Sequence, residues 1–253
     1  MTENRHTASE NVHIIDDAFI IPQLNRTRRI WLYLPTGYAH SKKRYPVLYM
    51  HDGQNLFDDA TSYSGEWEID ETLDATANAC IVVGIENGSL LRMNEYNPND
   101  TEQFGKGEGG LYLEFIVKTL KPYIDKKFRT LRSRKNTMVA GSSMGGLISF
   151  YAGILYPRIF GKIGIFSPAF WIVPQISDQI KQLVKHRKHS GQKYYFYSGG
   201  AEHPAMISDM LQVAELIRTL SSAKIEVVTK AEGWHSEVCW RKEFPAFYKW
   251  IIQ

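Results

Sequence analysis

The chain has 253 residues, of which 43% are hydrophobic and 13% are aromatic, so it is long enough to bury a sizeable core. Its 30 basic and 27 acidic residues give a formal charge of +3, which is too balanced to indicate nucleic acid or an anionic membrane surface as a partner. No apolar run reaches the roughly eighteen residues of a membrane span, and the polar N-terminus lacks the apolar core of a signal peptide, so we expect a cytoplasmic location.

The organisation of the chain is predicted to be simple. Residues 1–10 are polar and are expected to form a flexible tail, whereas residues 11–253 contain no linker-like stretch and are expected to form one domain. Cys80 and Cys239 are too few for a disulfide framework and lack metal-ligand spacing. We therefore expect neither a cofactor nor a metal, and the sequence does not indicate an oligomeric state.

Short β-rich runs alternate with helical patterns along the chain, which is typical of an α/β fold. The first two runs, 13–21 and 28–35, have no helix between them, and this predicts an antiparallel start to the sheet. The later runs are nearly continuous in apolar residues and most are followed by helical patterns, which predicts a mainly parallel sheet with helices on both faces. These runs are 45–50, 80–85, 136–141, 162–167, 193–198 and 224–229, and helices are expected near 112–127, 144–156, 175–186, 205–220 and 237–251.

The segment MVAGSSMGGL contains the pattern G-x-S-x-G, with Gly141, Ser143 and Gly145 in register. It lies between a predicted strand and a predicted helix, where a sharp turn would expose a serine hydroxyl. Ser143, and not Ser142, is therefore the candidate nucleophile, and the N–H of Met144 is a candidate oxyanion donor. The alternative interpretation is an ordinary glycine-rich turn.

A serine nucleophile needs a histidine base, and on this kind of turn the acid and the histidine follow the serine in chain order. His235 follows the last predicted strand on a loop that can reach the strand ends, so it is the candidate base. The other histidines after Ser143 are less suitable. His186 and His189 lie in a basic helix end, and His203 is expected to face solvent.

The acid is expected at the end of the preceding strand, where Glu202 follows a double glycine. From that loop a carboxylate can bond the imidazole N–H and fix its tautomer. The competing carboxylates fall within helical patterns, where solvated charges are common. They are Asp178, Asp209 and Glu215.

The second oxyanion donor is predicted in the segment HDGQNLFDD, which follows the third predicted strand. Gly53 permits close backbone approach, and the N–H of Gln54 would then point into the site. The nearby acidic and histidine side chains could be mistaken for a metal cluster, but a serine-based site needs no metal. Those side chains are His51, Asp52, Asp58 and Asp59.

Six segments together resemble the Putative esterase family of α/β-hydrolases, over about residues 28–250. They are YPVLYMHDGQNLFDD, SGEW, RMNEYNP, AGSSMGG, SPAFW and GWHSEVCWRKEFP. Relatives in that family include enterochelin, feruloyl and acetyl-xylan esterases, S-formylglutathione hydrolases and mycolyltransferases. The resemblance implies an α/β-hydrolase fold with Ser143, Glu202 and His235 as a catalytic triad. The interval from Ser167 to Gln192 has room for only one loop and one short helix, which predicts that the fold has no large lid.

The resemblance also implies a serine carboxylesterase that hydrolyses small or aromatic esters through an acyl-enzyme. Ser142 stands where formylglutathione hydrolases more usually have histidine, which indicates the siderophore-esterase branch. An acyltransferase with the same triad, or a non-catalytic interaction domain on the same fold, are the alternatives. Partition of products with an added alcohol would identify the first, and a lack of reaction with a fluorophosphonate probe would identify the second.

Four further residues are candidates for substrate binding. Trp67, which matches a tryptophan of the family, could form an aromatic wall with Phe170 and Trp171 at the strand ends. All three rings could equally be core residues. Arg92 could bind a polar group of the substrate, or it and Glu95 could pair with each other or with neighbours to order their loop.

Overall fold

A computed structural model describes residues 6–185 and 191–253, which leaves the candidates His186 and His189 outside the described residues. Within that part of the chain, the strands form one sheet in the order β1-β2-β4-β3-β5-β6-β7-β8. The strands are β1 Val12–Ile21, β2 Arg26–Tyr33, β3 Val47–His51, β4 Ile81–Ile85, β5 Thr137–Ser142, β6 Lys162–Phe166, β7 Lys193–Gly199 and β8 Lys224–Lys230.

The directions of the strands follow from what connects them. The four-residue link between β1 and β2 is too short for a crossover, and these strands pair antiparallel, as β2 does with β4. The pairs from β4 through β3, β5, β6 and β7 to β8 are all parallel. The prediction of a mainly parallel sheet with an antiparallel start is confirmed.

Helices cover both faces of the sheet. The longer ones match the predicted segments, and the predicted helix near 112–127 is interrupted by a π-helical turn, Ile116–Leu120. Two short helices were not predicted, because four to six residues are too few to show a period. The helices are α1 Ile69–Asp74, α2 Arg92–Glu95, α3 Gly109–Phe115, α4 Lys121–Lys127, α5 Met144–Leu155, α6 Ile176–Lys185, α7 Pro204–Leu220 and α8 Glu237–Ile252.

The core consists of two layers, one on each face of the sheet. Successive side chains of a strand point to opposite faces, and β3 shows this directly. Val47 and Tyr49 pack in the layer that contains α5, whereas Leu48 and Met50 pack in the layer that contains α8. The parallel strands are buried on both sides, so their ends define an edge at which loops can form a site.

The N-terminal residues that the structure describes are not all free of the fold. Thr7 donates to Glu66 and Asp58, and the N–H of Ser9 donates to Asp70 at 2.7 Å. Thr7 and Ser9 are therefore hydrogen-bonded to the domain, and the flexible tail over residues 1–10 stays a prediction. Among the described residues, no helix is both long and apolar enough to cross a membrane.

Candidate active site

Ser143 lies on the sharp turn between β5 and α5. Its backbone has φ 57° and ψ −120°, a conformation that costs a non-glycine residue about 1–3 kcal/mol. Three backbone hydrogen bonds hold it there: its N–H donates to Phe166, and its carbonyl accepts from Ala169 and Leu147. The strain predicted for a nucleophile on this turn is present at Ser143, whereas Ser142 is the last residue of β5.

Two glycines of this turn, Gly141 of the motif and Gly146 directly after it, are required by contact. A Cβ on Gly141 would lie 2.9 Å from the backbone of Gly145, and a Cβ on Gly146 would lie 2.8 Å from the carbonyl oxygen of Phe166. These distances are too short for any side chain, so the turn can close only with glycine at these positions.

Glu202 and His235 form a hydrogen-bonded pair. The distance from His235 Nδ1 to Glu202 Oε2 is 2.9 Å. The side chain of Glu202 is fully buried and that of His235 is 37% exposed, so the imidazole extends from a buried carboxylate toward solvent. This arrangement fixes the tautomer in which Nε2 can accept a proton.

Glycines also bring the two loops that carry this pair together. A Cβ on Gly199 would lie 2.1 Å from the carbonyl oxygen of Gly233, so β7 and the His235 loop approach as closely as bare backbone allows. The N–H of Ala201 donates to Gly233, and that of Gly200 donates to Lys230. The double glycine before Glu202 therefore sets the distance between the carboxylate and the histidine.

Ser167 is a positioning residue that sequence reasoning missed. Its hydroxyl donates to Glu202 Oε1 at 2.6 Å and accepts from Trp240 Nε1 at 2.8 Å. The ring of Trp240 also packs edge-on against the imidazole of His235, with centroids 5.0 Å apart. The only signal in the sequence was the position of Ser167 directly after β6, at the edge where the other candidates also lie.

The carboxylate of Glu202 is held in its charged form. Burial raises its pKa, but hydrogen bonds from His235, from Ser167 and from the N–H of Gly199 outweigh burial and leave the pKa below its usual range. A carboxylate beside Nδ1 whose ionised form is favoured is what an imidazole needs if it is to become a cation during a reaction.

The predicted oxyanion donors lie at the same edge of the sheet. Met144 is the first residue of α5, where N–H groups have no partner within the helix. Gln54 lies in a 3-10 turn, Gly53–Asn55, that is pressed against β4, because a Cβ on Gly53 would lie 2.7 Å from the backbone of Gly84. Gln54 lines the same pocket as Ser143.

A pocket of about 710 Å³ joins these groups, and Ser142, Ser143, Gln54 and His235 all line it. Within the described residues, no hydrogen bond joins the Ser143 hydroxyl to the His235 ring. Such bonds commonly form only with a bound substrate. Much of the remaining wall is polar, and it includes Thr61, Ser62, Ser64, Asn87 and Ser89.

Arg92 lines the pocket, but its guanidinium is occupied. It makes a bidentate ion pair with Asp52, at 2.6 and 2.8 Å, and Asn87 donates to the same carboxylate at 2.7 Å. Glu95 is fully buried and pairs instead with Arg26 and Arg28. Arg92 and Glu95 do not pair with each other. The ion pairs that each makes with other residues favour the interpretation that they order the loop over the interpretation that they bind substrate.

The predicted aromatic wall is not formed. Trp67 is 3% exposed and stacks on Trp240 in one core layer, and Phe170 is 1% exposed and packs on Phe150 in the other. The two rings therefore lie on opposite faces of the sheet. Trp171 is half-exposed beside Phe104, and none of the three predicted wall residues lines the pocket.

Two sets of side chains from the sequence analysis have other partners: the alternative histidine His203, and the side chains that could be mistaken for a metal cluster. His203 caps α7, accepting from the N–H of Ala205. His51 bonds Tyr112 at 2.8 Å and Asp58 bonds His6 at 2.7 Å, while Asp52 is held by Arg92. These groups serve separate contacts and do not converge on one point.

Comparison with known proteins decides the family. The family model described as Putative esterase matches residues 21–251, which is most of the chain. The chain belongs to this family. The family is named for esterases.

The relatives that this chain resembles are matched over only part of their length. YbbA of Bacillus subtilis is 32% identical over 151 residues, which cover 57% of this chain and 58% of YbbA. Iron(III) enterobactin esterase of Dickeya dadantii is 23% identical over 243 residues, covering 91% of this chain and 53% of the relative. The chain thus spans a little over half the length of these two relatives.

A solved structure shows the same fold over the whole length. The BES protein from Bacillus cereus superposes with a TM-score of 0.81 at 16% identity, covering 100% of this chain and 99% of that one. At this identity the likeness concerns the fold alone.

Replacing Glu202 with glutamine tests the role of the acid. The amide oxygen can keep the bonds from Ser167 and Gly199, but the amide nitrogen would face Nδ1 and favour the wrong tautomer. We expect kcat/KM for a nitrophenyl ester to fall about 10⁴-fold, with the near-UV circular dichroism unchanged. Asp209→Asn on α7 is the matched control and should keep wild-type activity. An active Glu202→Gln beside an inactive Asp209→Asn would assign the acid to the helix.

Replacing Arg92 with alanine tests the loop-ordering interpretation. The Asp52 carboxylate would keep only Asn87, so we expect the free energy of unfolding in urea at pH 7 to fall by about 2–3 kcal/mol. This loss of stability is smaller than the loss expected on breaking a fully buried ion pair, because the Arg92 side chain is 23% exposed. Arg218→Ala, which breaks an exposed pair with Glu215, should cost less than about 0.5 kcal/mol.

The same variant has a pH signature. Burial raises the pKa of Asp52, but the charge and hydrogen bonds of Arg92 outweigh burial and lower it. A lowered pKa adds stability above the pKa of the unfolded carboxyl, and this is lost as pH falls through the folded pKa. The stability gap between wild type and Arg92→Ala should therefore narrow in acid. A raised KM with unchanged stability would show instead that Arg92 binds substrate.

Proposed function

We propose that this member of the family is a serine carboxylesterase that works through an acyl-enzyme on small, polar or aromatic esters. The observation that carries the proposal is a strained Ser143 in the same pocket as His235, whose ring is fixed by buried Glu202. The three groups belong to loops that follow three different strands, and each has contacts that hold it near the pocket.

In the proposed reaction, His235 Nε2 removes the proton of Ser143 as the hydroxyl attacks the ester carbonyl. The N–H groups of Met144 and Gln54 bind the developing oxyanion, and each is expected to lower the barrier by about 3 kcal/mol. His235 then protonates the leaving alcohol. Water repeats the sequence on the acyl-enzyme, while Glu202 stabilises the imidazolium in both halves.

The pocket supports neutral, polar substrates. Asp52 is paired with Arg92 and Glu86 with Arg29, which leaves Glu237 as the pocket carboxylate without an ion pair among the described residues. The distance from Glu86 to Arg29 is 3.7 Å, and Glu237 accepts only a long bond, 3.4 Å, from Asn55. A multiply anionic ligand such as a ferric catecholate complex would meet repulsion here, whereas a hydroxycinnamoyl or short acyl ester would not.

Labelling with a fluorophosphonate probe tests the nucleophile. Wild type should be labelled and Ser143→Ala should lose both labelling and esterase activity, because the probe reacts only with an activated hydroxyl. Ser142→Ala removes the neighbouring pocket hydroxyl and is the matched control, which should keep most labelling. Loss of labelling in Ser142→Ala alone would place the nucleophile one residue earlier. Absence of labelling in wild type would indicate a non-catalytic domain.

The chain length of the substrate tests the shape and polarity of the pocket. Long acyl groups would lie against hydroxyl and amide side chains that lose water without gaining partners. We expect kcat/KM to be higher for acetyl and butyryl nitrophenyl esters than for decanoyl or longer esters, with no jump above the solubility limit. A maximum at ten carbons or activation at an emulsion interface would contradict the proposal. An added acceptor alcohol that diverts most of the product would identify an acyltransferase.

A further inference from the structure

Three carboxylates meet outside the pocket, at the start of α1. One oxygen from each of Glu66, Asp70 and Glu71 lies within 4.8 Å of the others. None of the three lines the pocket that contains Ser143. We call Glu66, Asp70 and Glu71 the acidic triplet.

Two members of the acidic triplet are buried with oxygens that have no partner. Glu66 is 4% exposed and Asp70 is fully buried. One oxygen of each accepts a bond from the N-terminal segment, from Thr7 Oγ1 at 2.5 Å and from the N–H of Ser9 at 2.7 Å. Glu66 Oε2 and Asp70 Oδ1 are buried without any hydrogen-bond partner. Buried polar atoms of this kind normally have a partner, such as an ion.

The surroundings do not supply a positive charge. In the part of the chain that the structure describes, no member of the acidic triplet takes part in an ion pair. The further charges that act on Glu66 are those of Asp59 and Glu68, which are also acidic. Burial and the neighbouring carboxyls raise the pKa of Glu71 above its usual range. Three carboxyl groups thus share one place with no cation opposite them.

We propose that the acidic triplet binds a hard divalent cation, and that the cation is Ca²⁺. Carboxylate and hydroxyl oxygens are the ligands that Ca²⁺ prefers, and its flexible geometry accepts an irregular set completed by water. The hydroxyl of Ser9 is also buried without a partner, on the residue whose N–H bonds Asp70. Glu71 is exposed, so the ion can enter from solvent and keep part of its water shell.

Such an ion would be structural. It would connect α1, through Asp70 and Glu71, to Glu66, which directly precedes Trp67. The segment from Thr7 to Ser9 is already hydrogen-bonded to Glu66 and Asp70. The N–H of Trp67 donates to the carbonyl of Asn55, directly after Gln54. The bound ion would therefore stabilise the loop that carries a proposed oxyanion donor, without touching the substrate.

Calcium titration of the full-length, EDTA-dialysed protein tests the site. We expect one Ca²⁺ per chain by calorimetry, and a saturable rise in Tm of about 5 °C or more at a calcium concentration roughly 100-fold above Kd. Mg²⁺ should give a smaller rise, because it needs a more regular octahedral site. Asp70→Asn and Glu66→Gln should each lose most of the calcium response.

The controls separate binding at the triplet from general charge effects. Asp59→Asn removes a nearby carboxylate that is not in the triplet, and it should keep the full response. Removal of Asp70 could affect folding, so the response of Glu71→Gln, at the exposed position, is compared as well and should be weakened. The absence of any saturable effect of Ca²⁺ or Mg²⁺ on wild type would overturn the proposal, and would indicate that the carboxyls share a proton. An equal response in Asp59→Asn and Asp70→Asn would also overturn it.

Discussion

The left-handed turn at Ser143 is the constraint on which the rest of the site depends. A serine with φ 57° is unfavourable on its own, and it persists because β6, α5 and the loop after β6 all form hydrogen bonds with its backbone. The bond from Ala169 ties the turn to the loop after β6, and that loop carries Ser167, which bonds Glu202. The strained turn at Ser143 is therefore connected to the acid Glu202 through the loop after β6 and not by a direct contact between the two side chains.

The sequence predicted the sheet well because the connections determine it. A turn without a helix gives an antiparallel pair, and a helix between apolar strands gives a parallel one, so the strand directions follow from the order of elements. The same logic predicted which residues share an edge. Ser143, Glu202 and His235 each follow a strand of the parallel part, and the structure brings Ser143 and His235 into one pocket.

What the sequence could not predict is the direction of side chains in irregular segments. Trp67 and Phe170 both lie next to strand ends, but a loop has no period from which to read the buried face. Tertiary packing places Trp67 in one core layer and Phe170 in the other. The pairing of Arg92 with Asp52, forty positions apart, and the role of Ser167 have the same origin, because each depends on contacts made only after the strands assemble.

The buried carboxylates of this chain differ in the groups that compensate their negative charge, and this difference distinguishes their roles. Glu95 faces two guanidinium groups and serves the fold. Glu202 is balanced by hydrogen bonds and a single imidazole, so in the proposed reaction its charge would stabilise the imidazolium. Glu237 lines the pocket, accepts a long bond from Asn55, and has its pKa raised by burial, and no ion pair among the described residues balances it. Because an unbalanced buried charge is costly, a carboxylate retained without a cationic partner indicates that a ligand, a proton or an ion completes it.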